Sequence, residues 1–326
     1  MKKELRPFRC RPIFKEKIWG GQKLAQLFGK NTSYANCGES WEVSDLEEGQ
    51  SIVDSGPHEG KSLGEMVEYF GKSLVGSSTS MKGFPLLIKL LDAAQDLSVQ
   101  VHPGQTTSHL FERASSKDEC WIILNSEDGK IAHGLKSGTT METLETAIAN
   151  NDCQRYLNEI AVKEGDAIRI PPGTVHAIRK GVVLLEIQEP SDTTFRLYDY
   201  GRKDKHGNMR ALHVEDALKA IELDQNEEIK SLINSPHSLL FNTPSYRVEV
   251  LYVQNAQWEV SDESVQVLIN LGDADLSLGD VHLSPFQSAV IPANVNLVTI
   301  KADQMNRVVL AGVSGILAKN LKLSVE

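Results

Sequence analysis

The densest chemical signal in the chain is the run Gly165-Asp-Ala-Ile-Arg-Ile-Pro171-Pro-Gly173-Thr-Val-His176. A turn glycine leads through a short β-branched stretch to a Pro-x-Gly turn and then to an imidazole. The glycine and the Pro-Gly turn are expected to fix a tight hairpin that aims His176 into a β-barrel, where a metal can be held. Upstream, Leu97-Ser98-Val99-Gln100-Val101-His102-Pro103 sets an amide and a second imidazole two residues apart. On a strand this spacing puts Gln100 and His102 on one face, with Val99 and Val101 on the other. Glu119, at the start of the apolar run Trp121-Ile-Ile-Leu, supplies a carboxylate. Two neutral imidazoles, an acid, a weak amide oxygen and a water make a shell that zinc accepts readily, so one Zn2+ per chain is the first expectation. Iron, manganese and nickel accept the same ligands. The competing reading has His102 capping a loop and Glu119 solvated on the surface.

The elements that must position these groups are mostly strands. From Val162 to Tyr200, short β-branched or aromatic runs alternate with turns at Glu164-Gly165-Asp166, Pro171-Pro172-Gly173, Arg179-Lys180-Gly181 and Pro190-Ser191-Asp192. After Asn242 the same texture returns, with Val248, Val250 and Tyr252 alternating with Arg247, Glu249 and Leu251. Three segments instead have helical period. Ser62 with Glu65 has capping-box spacing before Leu63, Met66, Val67 and Phe70, and Thr139 with Glu142 repeats that signal before Leu144 and Ile148. Val214, Ala217, Leu218 and Ile221 form the third stripe. The polar stretch Asp224 to Pro236 separates two parts, which sets expected domains at 1–235 and 236–326.

A chain of 326 residues, 40% hydrophobic and 24% charged, has ordinary globular proportions and room for two cores. Its net charge of −10 argues against broad binding to nucleic acid or anionic membrane, both of which call for a basic footprint. An anionic ligand would therefore need local Lys and Arg. The opening MKKELRPF leads into no apolar run, and the four cysteines, Cys10, Cys37, Cys120 and Cys153, lack metal-site or disulfide spacing. The expectation is a cytoplasmic protein with reduced thiols, monomeric or homodimeric, acting on a small molecule.

The Gly165 to His176 run is identified with the second cupin motif, Gly-x5-Pro-x-Gly-x2-His, at every defined position. The series Phe84-Pro-Leu-Leu-Ile-Lys89-Leu-Leu-Asp92-Ala, Leu97 to Pro103, Lys117-Asp-Glu119, His176-Ala and Ser191-Asp-Thr-Thr-Phe-Arg196 resembles the shorter bacterial type I mannose-6-phosphate isomerases. Lys17-Ile-Trp19-Gly-Gly and Gly38-Glu39-Ser-Trp41-Glu-Val-Ser resemble two further stretches of that family. The likeness runs from about residue 8 to about residue 215, and more weakly to the end. Where longer members read Asn-His-Lys-Pro-Glu, this chain has Ser115-Ser116-Lys117-Asp118-Glu119, and Ser191-Asp192-Thr193 replaces Ser-Asp-Asn.

The resemblance implies a mainly β fold of two cupin (jelly-roll) barrels with a few packing helices. It further implies zinc on Gln100, His102, Glu119 and His176, an essential arginine at Arg196, and interconversion of mannose 6-phosphate and fructose 6-phosphate. Such a reaction moves a proton between adjacent carbons through an enediol, so it needs an electrophile and a base. Arg196 suits charge stabilisation or a phosphate clamp, because a guanidinium stays protonated. Lys117 could share the cavity with Glu119, and Lys89 and Ser98 are the other phosphate candidates. Trp19 and Trp41 could line the sugar pocket. Glu186 is the candidate base, subject to register. A three-residue Arg179-Lys180-Gly181 loop would pair Ile178 with Val182 and His176 with Leu184, turning Glu186 to the metal face, whereas a two-residue loop would turn it outward. The resemblance favours the first. In the second barrel, Phe286 to Leu297 can be laid on the same motif, but Phe286, Asn294 and Leu297 replace the two glycines and the histidine, so no metal is expected there. The remaining histidines, His133 among them, have no comparable context and are expected to be structural or exposed.

Overall fold

The structure, a computed structural model, describes residues 4–80, 82–204, 206–225 and 228–324. Met1–Lys3 of the charged start and Asn226–Glu227 of the polar stretch thus lie outside the described residues. The expected strands form and close into two β-barrels. In the first, a seven-stranded sheet runs in the order Ile13–Gly21, Cys37–Val43, Leu87–Asp92, Val182–Gln188, Glu119–Ser126, Asp166–Ile170 and Lys230–Ser231. It faces a five-stranded sheet ordered Phe195–Tyr198, Val99–Val101, His176–Ile178, Lys130–Leu135 and Leu157–Ala161. The second barrel is built on an eight-stranded sheet from Ser238–Asn242 to Lys319–Ser324, dominated by the long pair Arg247–Glu259 and Leu297–Gly312. The chain is thus mainly β, with two cupin barrels and few helices.

Strand alternation distributes the side chains. Along Val182–Gln188, Leu184 faces the first barrel's interior with Leu91, Trp121, Ile123 and Ile168. Val183, Leu185 and Ile187 face outward, into a core shared with Val248, Val250, Val267 and Val309 of the second barrel. Each such fully buried side chain contributes roughly 1.5–3 kcal/mol relative to exposure, so the two barrels are joined by continuous apolar packing. The other face of the eight-stranded sheet holds a separate apolar core, including Leu251, Trp258, Leu268 and Leu310.

The helices pack outside. Leu63–Phe70 carries the expected capping box, Ser62 accepting from Glu65 N and Glu65 from Ser62 N. Helix Met141–Ala149 starts one residue later than its spacing suggested. Thr140, not Thr139, accepts from Thr143 N, because Thr139 turns its hydroxyl back to Lys136 O. Val214–Ala220 is the third expected helix, and the short helices Lys23–Phe28 and Lys72–Val75 have no sequence counterpart above. They bury only Leu24 and Phe28, and Leu74 and Val75, too few positions to display a period.

Both expected hairpins are corrected. Asp166–Ile170 and His176–Ile178 belong to opposite sheets, so the Pro171–Gly173 turn, with Gly173 at φ 84°, carries the chain across the barrel. Likewise His176–Ile178 pairs with Val99–Val101 and Lys130–Leu135 rather than with Val182–Gln188. The pairings Ile178 with Val182 and His176 with Leu184 do not occur. A loop of three residues fits a crossing between two faces of a barrel as well as it fits a hairpin, and length alone could not separate them.

Candidate metal centre and active site

Register brings the polar groups into two facing rows. Across the five-stranded sheet, Arg196, Gln100, His176 and His133 lie directly opposite one another on consecutive strands. Across the seven-stranded sheet, Trp41, Lys89, Glu186 and Trp121 do the same. Period two then puts His102 beside Gln100, and Glu119 beside Trp121. Glu186 faces the interior as expected, although by a strand order different from the one proposed for it.

His102, Glu119 and His176 converge, with ligand atoms within 4.8 Å of one another and all three side chains buried. His102 Nε2 lies 3.6 Å from one Glu119 oxygen, and His176 Nε2 lies 3.6 Å from the other. His102 Nδ1 faces Thr193 O at 2.8 Å and His176 Nδ1 faces Thr174 O at 2.9 Å. A carbonyl only accepts, so each ring carries its proton on Nδ1 and directs an Nε2 lone pair at the carboxylate. Burial and the nearby Lys117 keep His102 far below the usual histidine range, and burial takes His176 down to about 3, so both rings are neutral.

His102 Nε2 and Glu119 Oε1 are buried with no hydrogen-bond partner, a costly arrangement unless a cation occupies the space between them. Two imidazole lone pairs and a carboxylate suit a divalent ion, so these residues fit a metal. Gln100 stands beside them. Its amide nitrogen is 3.2 Å from His176 Nε2, and its oxygen accepts from Ser98 Oγ at 3.1 Å. A half-turn of the amide would present oxygen instead, and the Ser98 hydroxyl can partner either atom.

Charge surrounds this group. Lys117 Nζ is 2.9 Å from Glu119 Oε2, and Lys89 Nζ is 3.1 Å from Glu186 Oε1, with all four side chains buried. Burial raises the Glu119 pKa, and the negative Glu186 adds to it. Burial also opposes ionisation of Glu186, but Lys89, Lys117 and the Trp121 indole N–H at 3.2 Å outweigh it and hold that carboxyl low. Lys89 is raised against its own burial by Glu186 and Glu39, and so stays charged. Arg196 is half-buried, its Nε unpartnered, and burial together with Arg210 lowers its pKa. Trp41 sits at this charged end, with Lys89 Nζ 5.2 Å from its ring centroid and its N–H donating to Glu39. Trp19 instead joins Leu91, Ala93 and Leu97 in the apolar half of the barrel, which places it in the packing beneath the site.

Sequence reasoning passed over three contributors. His133 flanks His176 in register, its Nε2 facing Arg169 O at 3.1 Å. Glu39 pairs with Lys17 at 3.1 Å. Thr193 acts through its backbone, which no side-chain motif reports; Glu39 was visible in Gly38-Glu39-Ser-Trp41, where strand alternation puts it on the face of Trp41.

Comparison with known proteins gives the chain its relatives. The family description "Phosphomannose isomerase type I, catalytic domain" matches residues 7–132. The chain is 39% identical to the mannose-6-phosphate isomerase ManA of Bacillus subtilis over 257 residues, covering 78% of this chain and 80% of that one. It is 41% identical over 207 residues to the mannose-6-phosphate isomerase of Streptococcus mutans, covering 63% and 65%. The crystal structure of a B. subtilis mannose 6-phosphate isomerase superposes with a TM-score of 0.84 at 30% identity, over 94% of this chain and 99% of that one. A putative mannosephosphate isomerase from Archaeoglobus fulgidus, 23% identical, shares the fold at a TM-score of 0.78 over 95% and 98%. With sequence likeness reaching across three-quarters of its length, the chain belongs to the type I phosphomannose isomerase family.

Proposed function

We propose that the chain interconverts mannose 6-phosphate and fructose 6-phosphate as a metal-dependent aldose–ketose isomerase with one zinc ion per chain. Membership of the family makes it an isomerase. The observation that carries the finer reading is the burial together of His102, Glu119 and His176, with Lys117 paired to Glu119, Lys89 paired to Glu186, and Arg196 in register with Gln100. His102, Glu119 and His176, joined by Gln100 after its amide turns, would hold the zinc. Bound there, the ion supplies Lewis acidity toward the sugar's carbonyl and hydroxyl oxygens.

The chain's own groups account for the rest. Lys89, Lys117 and Ser98 are proposed to bind the phosphate, and Trp41 to border the sugar, with Trp19 supporting from below. Glu186 is ionised and can take the proton from C2 of the aldose. The same proton delivered to C1, with the C2 hydroxyl proton passed to O1, turns the C1 aldehyde into a CH2OH group and leaves C2 as the carbonyl. Held by Lys89 and Trp121, Glu186 is a weak base, and it becomes stronger if Lys89 turns to a substrate phosphate. Arg196 stabilises the oxyanion that develops between these steps.

Residues 1–235 form the proposed catalytic unit and 236–326 a metal-free one that covers it. Among the described residues no helix is long and apolar enough to cross a membrane. The proposal extends to action on a small sugar phosphate in the cytoplasm by a monomer or homodimer, and the net charge of −10 supports the absence of nucleic acid and anionic membrane as partners.

The test is a coupled isomerase assay with metal analysis on the same sample. Arg196→Ala should leave zinc content and melting unchanged while kcat falls about a hundredfold or more. Retained turnover removes Arg196 from the chemistry. Binding of mannose 6-phosphate without product would make the chain a sensor, and oxygen uptake without isomerisation would make it a cupin oxygenase.

A further inference from the structure

The second barrel reaches the metal centre at Asp118, the residue that precedes the strand Glu119–Ser126. Lys117 and Glu119 point inward, so Asp118 between them points outward, toward the second barrel. It is buried there. Arg169 grips its carboxylate at 3.1 and 2.6 Å, and Tyr246 Oη donates to the same group at 3.0 Å. Tyr246 belongs to the turn Thr243–Tyr246 between the first two strands of the second barrel and is fully buried.

The adjacent Ser245 makes a second link. Its hydroxyl donates to Glu189 at 2.8 Å, and Glu189 accepts in turn from Ser116 Oγ at 2.8 Å and Asp118 N at 2.9 Å. Glu189 N closes the loop on Asp118 O at 3.0 Å. Every polar group of Asp118 is therefore partnered, by Arg169 and Glu189 of the first barrel and by Tyr246 of the second, and the neighbouring Ser245 ties Glu189 to the same second-barrel turn.

Resting on the metal reading above, we propose that Tyr246 is a positioning residue for the metal centre. Through Asp118 it sets the backbone that aims Glu119 at His102 and His176 and aims Lys117 into the cavity. The second barrel thus supplies the centre with rigidity rather than with a ligand. Outer hydrogen bonds of this kind typically change metal affinity by about 10–100-fold when removed. Asp118 is one bond network away from the ligand, so the lower end of that range applies.

The experiment compares the full chain with Tyr246→Phe, which keeps the ring and removes the hydroxyl. Zinc affinity is read by competition with a chromogenic chelator, with kcat and KM for mannose 6-phosphate measured alongside. The expected result is zinc binding weakened about tenfold, kcat reduced, KM raised because Lys117 shares the loosened backbone, and circular dichroism unchanged. Zinc affinity and kcat both within twofold of wild type, whatever the melting temperature does, would reduce Tyr246 to a packing residue and overturn the proposal. If Tyr246→Phe does not fold, Ser245→Ala is judged by the same two readouts. A wild-type chain that binds no zinc sinks the metal reading itself; zinc-binding wild type with an unaffected variant sinks only this inference.

Discussion

The motif in each barrel of this chain opens on a residue with positive φ, and the two motifs differ in what they deliver. Gly165 opens the motif in the first barrel at φ 85°, and Phe286, its counterpart in the second, adopts nearly the same left-handed backbone at φ 63°. The first turn ends on a buried His176 directed at Glu119. The second leads to Leu297, which is 52% exposed, and the barrel behind it is filled by Leu251, Leu268, Leu310 and their neighbours. The positive φ is thus held without the residue type that favours it. Phe286 packs edge-on to Phe28 with ring centroids 4.4 Å apart, so packing between the barrels offsets the cost of a non-glycine residue at positive φ. The shape of each barrel rests on many apolar contacts, whereas the polar cluster of the first rests on a few inward groups.

The largest predicted effect divides the barrels by their motif histidines. His176→Ala should strip the zinc and lower isomerase activity by about a thousandfold or more, since a bound metal is worth several kcal/mol of charge stabilisation. The reciprocal change, Leu297→His, should add no metal, because position 297 is 52% exposed and, among the described residues, the second barrel brings together no group of three metal-ligating side chains. Metal analysis of both variants decides the matter. A second equivalent of tightly bound zinc in Leu297→His would break the contrast.

A smaller effect concerns how each barrel uses a buried acid. In the first, Glu119 is left without hydrogen bonds to its Oε1; in the second, Glu249 is saturated, accepting from Arg247 at 2.5 Å, His237 at 2.8 Å, Leu317 N at 3.0 Å and Ala318 N at 3.1 Å. Burial opposes its ionisation, but Arg247 and the two backbone N–H groups prevail and depress its pKa. A depressed carboxylate contributes stability that is complete above its unfolded value of 4.5 and is lost as pH falls through the lower folded value. Glu249→Gln should therefore cost about 2–3 kcal/mol at neutral pH. The gap from wild type should narrow as acid protonates the native carboxylate. Urea titrations at neutral and acidic pH measure this, and a gap that widens in acid would contradict the sign.

These contrasts also mark how far the chain could be read without coordinates. The meeting of His102, Glu119 and His176 was legible because turn chemistry and strand alternation are local, and Gly165, Pro171, Gly173 and the Gln100–His102 spacing carry them. The crossing of Pro171–Gly173 and Arg179–Gly181 between sheets was not, since which strands pair is set by the whole barrel rather than by loop length. Asp118 was visible as a departure where longer relatives carry proline. Its meaning was not, because its partners Arg169 and Tyr246 lie 51 and 128 residues away in sequence. Trp19 and Trp41 looked alike in Trp-Gly-Gly and Gly-Glu-Ser-Trp, yet one lies in the apolar half and the other among charges.

The smallest effect tests the shared positive φ itself. A Cβ added at Gly165 meets nothing within 4 Å, so Gly165→Ala isolates the backbone penalty of a left-handed residue, about 1–2 kcal/mol. At the counterpart position, Phe286→Gly relieves a similar penalty but removes the ring contact with Phe28, itself worth about 0.5–1.5 kcal/mol, so the net change should be close to zero. Thermal melts of the two variants should therefore separate, with Gly165→Ala the lower and zinc content unaltered in both. A neutral Gly165→Ala would mean that the first barrel tolerates a side chain at its motif glycine as readily as the second does. The glycine would then be dispensable for holding His176 in place, and the turn's geometry would have to be attributed to the strands on either side.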